Sequence, residues 1–313
     1  MRCPFAVMSA LSYHPRHRGG KTARAFWDFT AGWQRETGEL HLAAGHWHLV
    51  ELASRFPFRS VRTILSRNVA FARARQLPDG GFRGNCPEEN ACLVALAYAR
   101  HGMLNSLLGQ LRYDPVPCIR SIETPLGLKT RREALGEDDE RVATRLANRV
   151  ARGQRRDGSW QGLILATTAA IHDLLDCGVP GESAEVRRAC DWLLAQQGPV
   201  DAALFRAASR IELTDMFHTS DPGEEADFER TRHPDWRWKR KGVQCVALLP
   251  VYQAAAAVDA LCRCGLSDHD GVRRGLAALM RIRGPGGKYY TNYWCACNTA
   301  RWLHARAPKF DSR

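Results

Sequence analysis

Two kinds of segment alternate along the chain. The first kind gathers its apolar residues on one stripe and sets basic residues opposite, as in "ERVATRLANRVARGQ" and "SAEVRRACDWLLAQQ". These read as amphipathic helices with one face in water. The second kind is apolar all round and rich in small residues, as in "LILATTAAIHDLLDCG" and "VQCVALLPVYQAAAAVDALCRCG", which predicts buried helices. Several of these end at a glycine (Gly102, Gly178, Gly265), where a left-handed C-terminal cap is expected. A sustained alternation of apolar and polar residues is almost wholly missing, so no substantial sheet is expected.

Between the two kinds of helix a short phrase recurs. "QRRDGSW" (154–160) matches "QLPDGGF" (76–82) and, more loosely, "QRETGEL" (34–40), "QGPVDAALF" from Gln197 and "RGPGGKY" from Arg283. Successive copies begin 42, 78, 43 and 86 residues apart, two single and two near-double steps of one repeat, some copies eroded or interrupted. Asp-Gly forms the turn, the aromatic is expected to wedge between neighbouring hairpins, and the Gln can bond orphan backbone groups at a helix end. Outer helix, turn, inner helix, repeated, predicts an all-α fold, an α/α toroid of about five or six helical hairpins, with an open solenoid as the competing arrangement. The expected organisation is a toroid domain over 26–306 with insertions near 103–138 and 206–241, a basic N-terminal extension over 1–25 and a tail over 307–313.

"QRRDGSW" resembles the QW motif of squalene-hopene and oxidosqualene cyclases and of protein prenyltransferase β subunits. "DGGFRGNCPEENACLVALAYA" (79–99) is similar to the prenyltransferase form, and "GGKYYTNYWCACNTARWL" resembles the last repeat of those subunits. As architecture the resemblance covers most of 34–306; in sequence it is specific only at the turns. It implies an isoprenoid or prenyl diphosphate in a central cavity, and a helical partner subunit. The prenyltransferases bind zinc through an Asp, a Cys two residues later and a distant His. The matching positions here hold Asn90, Cys92 and Tyr293, so the zinc ligand set is incomplete, and magnesium could accompany a diphosphate instead. The cyclases' Asp-x-Asp-Asp acid is missing, and the nearest acidic run, "GEDDE" (136–140), reads as the capped first turn of a helix.

Composition narrows the picture modestly. The net charge of +12 is crowded at "RTRHPDWRWKRK" (230–241), where Trp236 and Trp238 interleave. Such a stretch suits a diphosphate, a membrane surface or nucleic acid, but no nucleic-acid-binding signature accompanies it. The eleven cysteines are spread along helical patterns and read as buried thiols of a reducing compartment. With no signal peptide expected, and no apolar run near the roughly 18 residues of a membrane span, a cytoplasmic location follows.

Candidate chemistry concentrates where inner helices begin, since their N-terminal ends offer positive dipole and free donors. His46, His48, Asn90, Tyr289, Tyr293 and Trp294 are candidate substrate-binding residues there, joined by Arg237, Lys239 and Lys241 as diphosphate partners. Cys92, as a helix-terminal thiol, and the pair Asp215 and His218, three apart in the second insertion, are the candidate catalytic groups. Thr167, Thr168 and His172 are expected to line the barrel. Two readings stay open: an isoprenoid-handling transferase or cyclase relative, and a non-catalytic ring that binds a peptide, lipid or protein. A polysaccharide lyase toroid fits the charge but not the expected location.

Overall fold

The computed structural model describes residues 3–40, 46–84, 86–198, 216–217 and 248–281. It is predominantly helical. In chain order the helices are α1 (Cys3–Tyr13), α2 (Pro15–Arg18), α3 (Lys21–Trp33), α4 (His46–Ser54), α5 (Arg59–Arg75), α6 (Pro87–Ala99), α7 (Leu104–Leu108), α8 (Val116–Ser121) and α9 (Pro125–Thr130). A π-helical turn (Arg131–Leu135) follows, then α10 (Glu140–Ala151), α11 (Ile164–Asp176), α12 (Ala184–Ala195), α13 (Leu248–Arg263) and α14 (Asp270–Arg281). The described strands are two antiparallel two-residue pieces, β1 (Gln197–Gly198) and β2 (Met216–Phe217).

The chain forms two compact units. One comprises His14–Arg152 with His172–Pro180; the other comprises Met1–Tyr13, Gly153–Ile171 and Gly181–Arg313. In the first, amphipathic α3 and α5 lie side by side, and apolar α4 and α6 lie side by side with α4 also against α5. Every α6 residue from Asn90 to Tyr98 is buried, as its largely small and apolar sequence requires. In the second unit α1 packs on α13, and α13 on α14. Ser9 donates to the Asp259 carboxylate at 3.1 Å across 250 residues of sequence. The first 25 residues were expected to be an extension, yet Met8, Ala10 and Leu11 are buried in this helix pair.

The recurring phrase is a joint between hairpins. Gln34 Nε2 donates to Gly38 O at 2.8 Å and to Ile64 O, in α5, at 2.9 Å. Gln154 Nε2 repeats this, donating to Gly158 O at 3.0 Å and to Glu185 O, in α12, at 2.8 Å. Gln197 Nε2 donates to Gly271 O, in α14, at 2.8 Å. Gln76 uses both ends of its amide: Oε1 accepts from the N–H groups of Arg112 and Tyr113, and Nε2 donates to Tyr113 O at 2.6 Å. Gln34, Gln154 and Gln197 therefore grip the backbone of the next amphipathic helix, and Gln76 that of the segment just ahead of α8. The phrase glycine closes the same contact. Gly158 has φ +94°, and a Cβ there would stand 2.4 Å from Arg188 O; Gly38 would meet Arg67 O at 2.0 Å. Only glycine permits both that backbone conformation and that approach. The Asp is a turn former, Asp157 accepting from Ser159 N and Oγ and Asp79 from Gly81 N, while Phe82 and Trp160 are buried.

These joints account differently for the two long steps. Gln76 reaches the residues just ahead of α8, and Gly80 lies against Asp114 O, so α8 and α9 occupy the place of a shrunken hairpin packed on α6. After Gln197 the joint goes to α14, and of the stretch 206–241 only Met216 and Phe217 lie among the described residues. The three predicted helix ends share one cap: Met103 N bonds Tyr98 O, Val179 N bonds Leu174 O and Leu266 N bonds Leu261 O, each with a left-handed glycine between.

Candidate functional site

The candidates on α4, α6 and α11 are engaged in packing and in contacts with neighbouring backbone. His46 opens α4. Its Nδ1 accepts from Leu40 N–H at 3.1 Å, and its Nε2 lies 2.7 Å from the Asn68 side-chain amide. Its ring packs 4.4 Å from Phe71 and 4.6 Å from Trp47, centroid to centroid. Burial pushes His46 down to about 4, against smaller opposing contributions from Leu40 and Glu39, so the imidazole is neutral at pH 7. Asn68 in turn donates to Gly38 O at 3.3 Å and accepts from Tyr98 Oη at 3.4 Å. This chain of polar contacts fastens the 34–40 joint to α4, α5 and α6. His48, two residues on, is exposed on the other side of α4.

Asn90 and Cys92 share a buried stretch of α6. Asn90 Nδ2 donates to Phe82 O at 3.0 Å, tying the helix to the turn before it. Cys92 lies in the second turn of α6, past the reach of the helix N-terminus. It is fully buried and shares a hydrogen bond with Thr130; burial pushes its thiol up to about 12, against a smaller lowering by Thr130 and Arg131. The expected helix-end thiolate is a protonated core thiol here. Thr167 Oγ1 accepts from Trp160 N at 3.0 Å and Thr168 donates to Leu165 O, so both anchor the start of α11. Asp139 caps α10 by accepting from Val142 N at 3.0 Å, as the acidic run suggested. Asp215, His218, Arg237, Lys239, Lys241, Tyr289, Tyr293 and Trp294 lie outside the described residues.

Around these groups stands a charged network that pattern reading missed. Glu51, in α4, is buried between Arg55 at 2.8 Å and Arg100 at 2.5 Å. Burial alone would raise its carboxyl; Arg55 and Arg100 more than reverse this and hold it well below the ordinary carboxylate range. Arg100 also reaches Glu133 at 3.1 Å, and buried Lys129 pairs with Asp176 at 3.2 Å. Beside them Arg131, in the π turn, pairs through Nη1 with Asp139 at 3.9 Å, buries its Nε and Nη2 without a hydrogen-bond partner and lines a hollow of about 380 Å³ with Glu137, Asp138, Asp139 and Glu140. Arg131 directly follows the end of α9, but its approach to the acidic run is visible only in three dimensions.

The zinc set implied by the resemblance does not fit. Asn90 directs its amide N–H to Phe82 O, and Cys92 is protonated, whereas zinc takes thiolate, imidazole or carboxylate donors. Among the described residues no three His, Cys, Asp or Glu side chains gather to hold a metal ion, and no helix is long and apolar enough to cross a membrane. Compared with known family models, curated proteins and solved structures, the chain matches none.

Proposed function

We propose that the chain is an α/α toroid of QW-type hairpins that binds an isoprenoid bearing a phosphate or diphosphate end, its apolar tail among the inner helices. The observation that carries this reading is the Gln joint made four times, three times to the next amphipathic helix and once, from Gln76, to the segment just ahead of α8. That recurrence supports a ring of hairpins, and the contact of α1 with α13 supports its closure. In this reading Arg237, Lys239 and Lys241 of the basic stretch 230–241 meet the anionic end, because the four carboxylates that share a hollow with Arg131 would repel a phosphate. Cys92 serves as packing, and zinc-thiolate chemistry takes no part.

The test is a thermal-shift series with farnesyl diphosphate, farnesol and inorganic pyrophosphate, alongside native mass spectrometry. Farnesyl diphosphate should stabilise the chain most. Arg237→Gln with Lys239→Gln and Lys241→Gln should abolish that shift, with circular dichroism checking that the ligand-free chain still folds. Equal shifts with pyrophosphate alone, or none with any ligand, would refute the reading.

A second reading, a non-catalytic ring for a peptide, lipid or protein, is favoured by one specific finding. His46, Asn90 and Cys92, all candidates for binding or chemistry, are each engaged in fastening α4 or α6. Native mass spectrometry showing a retained protein partner and no isoprenoid would favour it.

A further inference from the structure

A basic face stands at the end of the first unit where α4 and α6 finish and α3 and α5 begin. From Pro15 to Trp27, and again from Leu52 to Pro78, the chain has no acidic residue, and the second stretch carries six arginines. The fold brings the two stretches together. Arg18 Nε donates to Arg55 O at 2.5 Å, seating α2 on the end of α4. The Arg24 guanidinium lies 5.2 Å from the Phe58 ring centroid, placing the start of α3 beside the start of α5. His101, just past α6, lies 3.0 Å from Ser54 O. Its pKa is lowered, by burial first; the Ser54 carbonyl opposes this, and Arg62, Arg100 and Arg18 each add a further lowering, since a nearby positive charge disfavours the imidazolium.

The charge here is uncompensated. The nearby carboxylates Glu51 and Glu133 are already bonded to Arg55 and Arg100. Neither α3 nor α5 has an acidic residue in its first turn, so Lys21, Arg24, Arg59 and Arg62 add to the positive ends of two helix dipoles. An anion would relieve that repulsion. Arginine outnumbers lysine at this face, which favours phosphate through its planar fork.

We propose that this face docks on an anionic lipid surface, with phosphate headgroups against Arg18, Lys21, Arg24, Arg59, Arg62 and His101. Helix ends and a four-residue helix compose the face, so nothing lies lengthwise to enter a nucleic-acid groove. The large apolar side chain exposed among the described residues is Tyr113, so neither base stacking nor membrane insertion is offered and attachment is electrostatic.

The test is sedimentation with vesicles of phosphatidylcholine alone or with about a third phosphatidylglycerol. The full chain carries Arg237→Gln, Lys239→Gln and Lys241→Gln in every arm, so that the other basic segment does not mask the effect. Binding is expected only to the anionic vesicles and weakens with salt. Lys21→Gln with Arg59→Gln and Arg62→Gln should weaken it on the order of a hundredfold, from about fivefold per basic residue at an anionic surface. An equal charge change at Arg141, Arg152 and Arg156 should weaken it less than about fivefold. Circular dichroism checks that both triple variants fold, and vesicle binding should raise the His101 pKa read by NMR. No binding to anionic vesicles, equal losses in the two triple variants, or tighter binding to duplex DNA that the first triple abolishes would each overturn the proposal. The outcome is independent of isoprenoid binding.

Discussion

Replacing Glu51 by Gln removes the single negative charge between two guanidiniums while keeping the side chain's size. The Glu51 side chain is 5% exposed, and Arg55 and Arg100 are about one-fifth exposed. Breaking a buried pair by removing one partner costs roughly 3–5 kcal/mol. Because both arginines retain some water and Arg100 keeps Glu133, the lower end, about 3 kcal/mol, is expected. In a cooperative unit of this size that corresponds to a drop of roughly 6–12 °C in melting temperature. The pH dependence is the sharper readout. The folded carboxyl is held below its ordinary 4.5, so its contribution is full above about that pH and fades as pH falls below it. Urea unfolding followed by tryptophan fluorescence should therefore show Glu51→Gln less stable at pH 7.5, with a shallower decline between about pH 5 and 2 than the natural chain. Glu39→Gln, which breaks a largely exposed pair with Arg35 across the 34–40 turn, should cost less than about 1 kcal/mol. A Glu51→Gln chain within about 0.5 kcal/mol of the natural one at pH 7.5, or one with an undiminished acid slope, would refute the reasoning.

Two further outcomes follow from the joints. His46, held at about 4 in the folded chain against an ordinary 6.5, binds its proton more readily when unfolded. Stability should thus fall between pH 6.5 and 4 by up to about 3 kcal/mol, and NMR titration should find the His46 ring neutral at pH 5. Gly158→Ala forces a side chain into the φ +94° conformation and against Arg188 O. The backbone alone costs about 1–2 kcal/mol, and calorimetry should show a larger loss than that; no loss would mean that the joint yields freely.

Much of the helical grammar is legible in the chain itself. Gly102, Gly178 and Gly265 announce their caps because an apolar run stops at a residue free of Cβ. Gln154 and Asp157 announce the turn because they recur in frame. The partners of those residues are another matter. Gln154 bonds Glu185 O and Asn90 bonds Phe82 O, and a carbonyl leaves no mark in a residue pattern. For this reason His46, Asn90 and Cys92 looked available for ligands when they were already committed. The hairpin of α8 and α9 went unread because six-residue helices are too short to display a period. Glu51 and Arg100 meet across 49 positions, with nothing local to link them.

A glutamine that reads main-chain carbonyls sets no condition on the side chains it faces. Ile64, Glu185 and Gly271 could hardly differ more, yet each accepts the same bond. Selection acting through such contacts preserves the cadence of the chain and leaves the words between beats free to change. Drift of that kind would blur pairwise similarity before it disturbed the punctuation, because the Gln and Gly beats answer to the backbone alone.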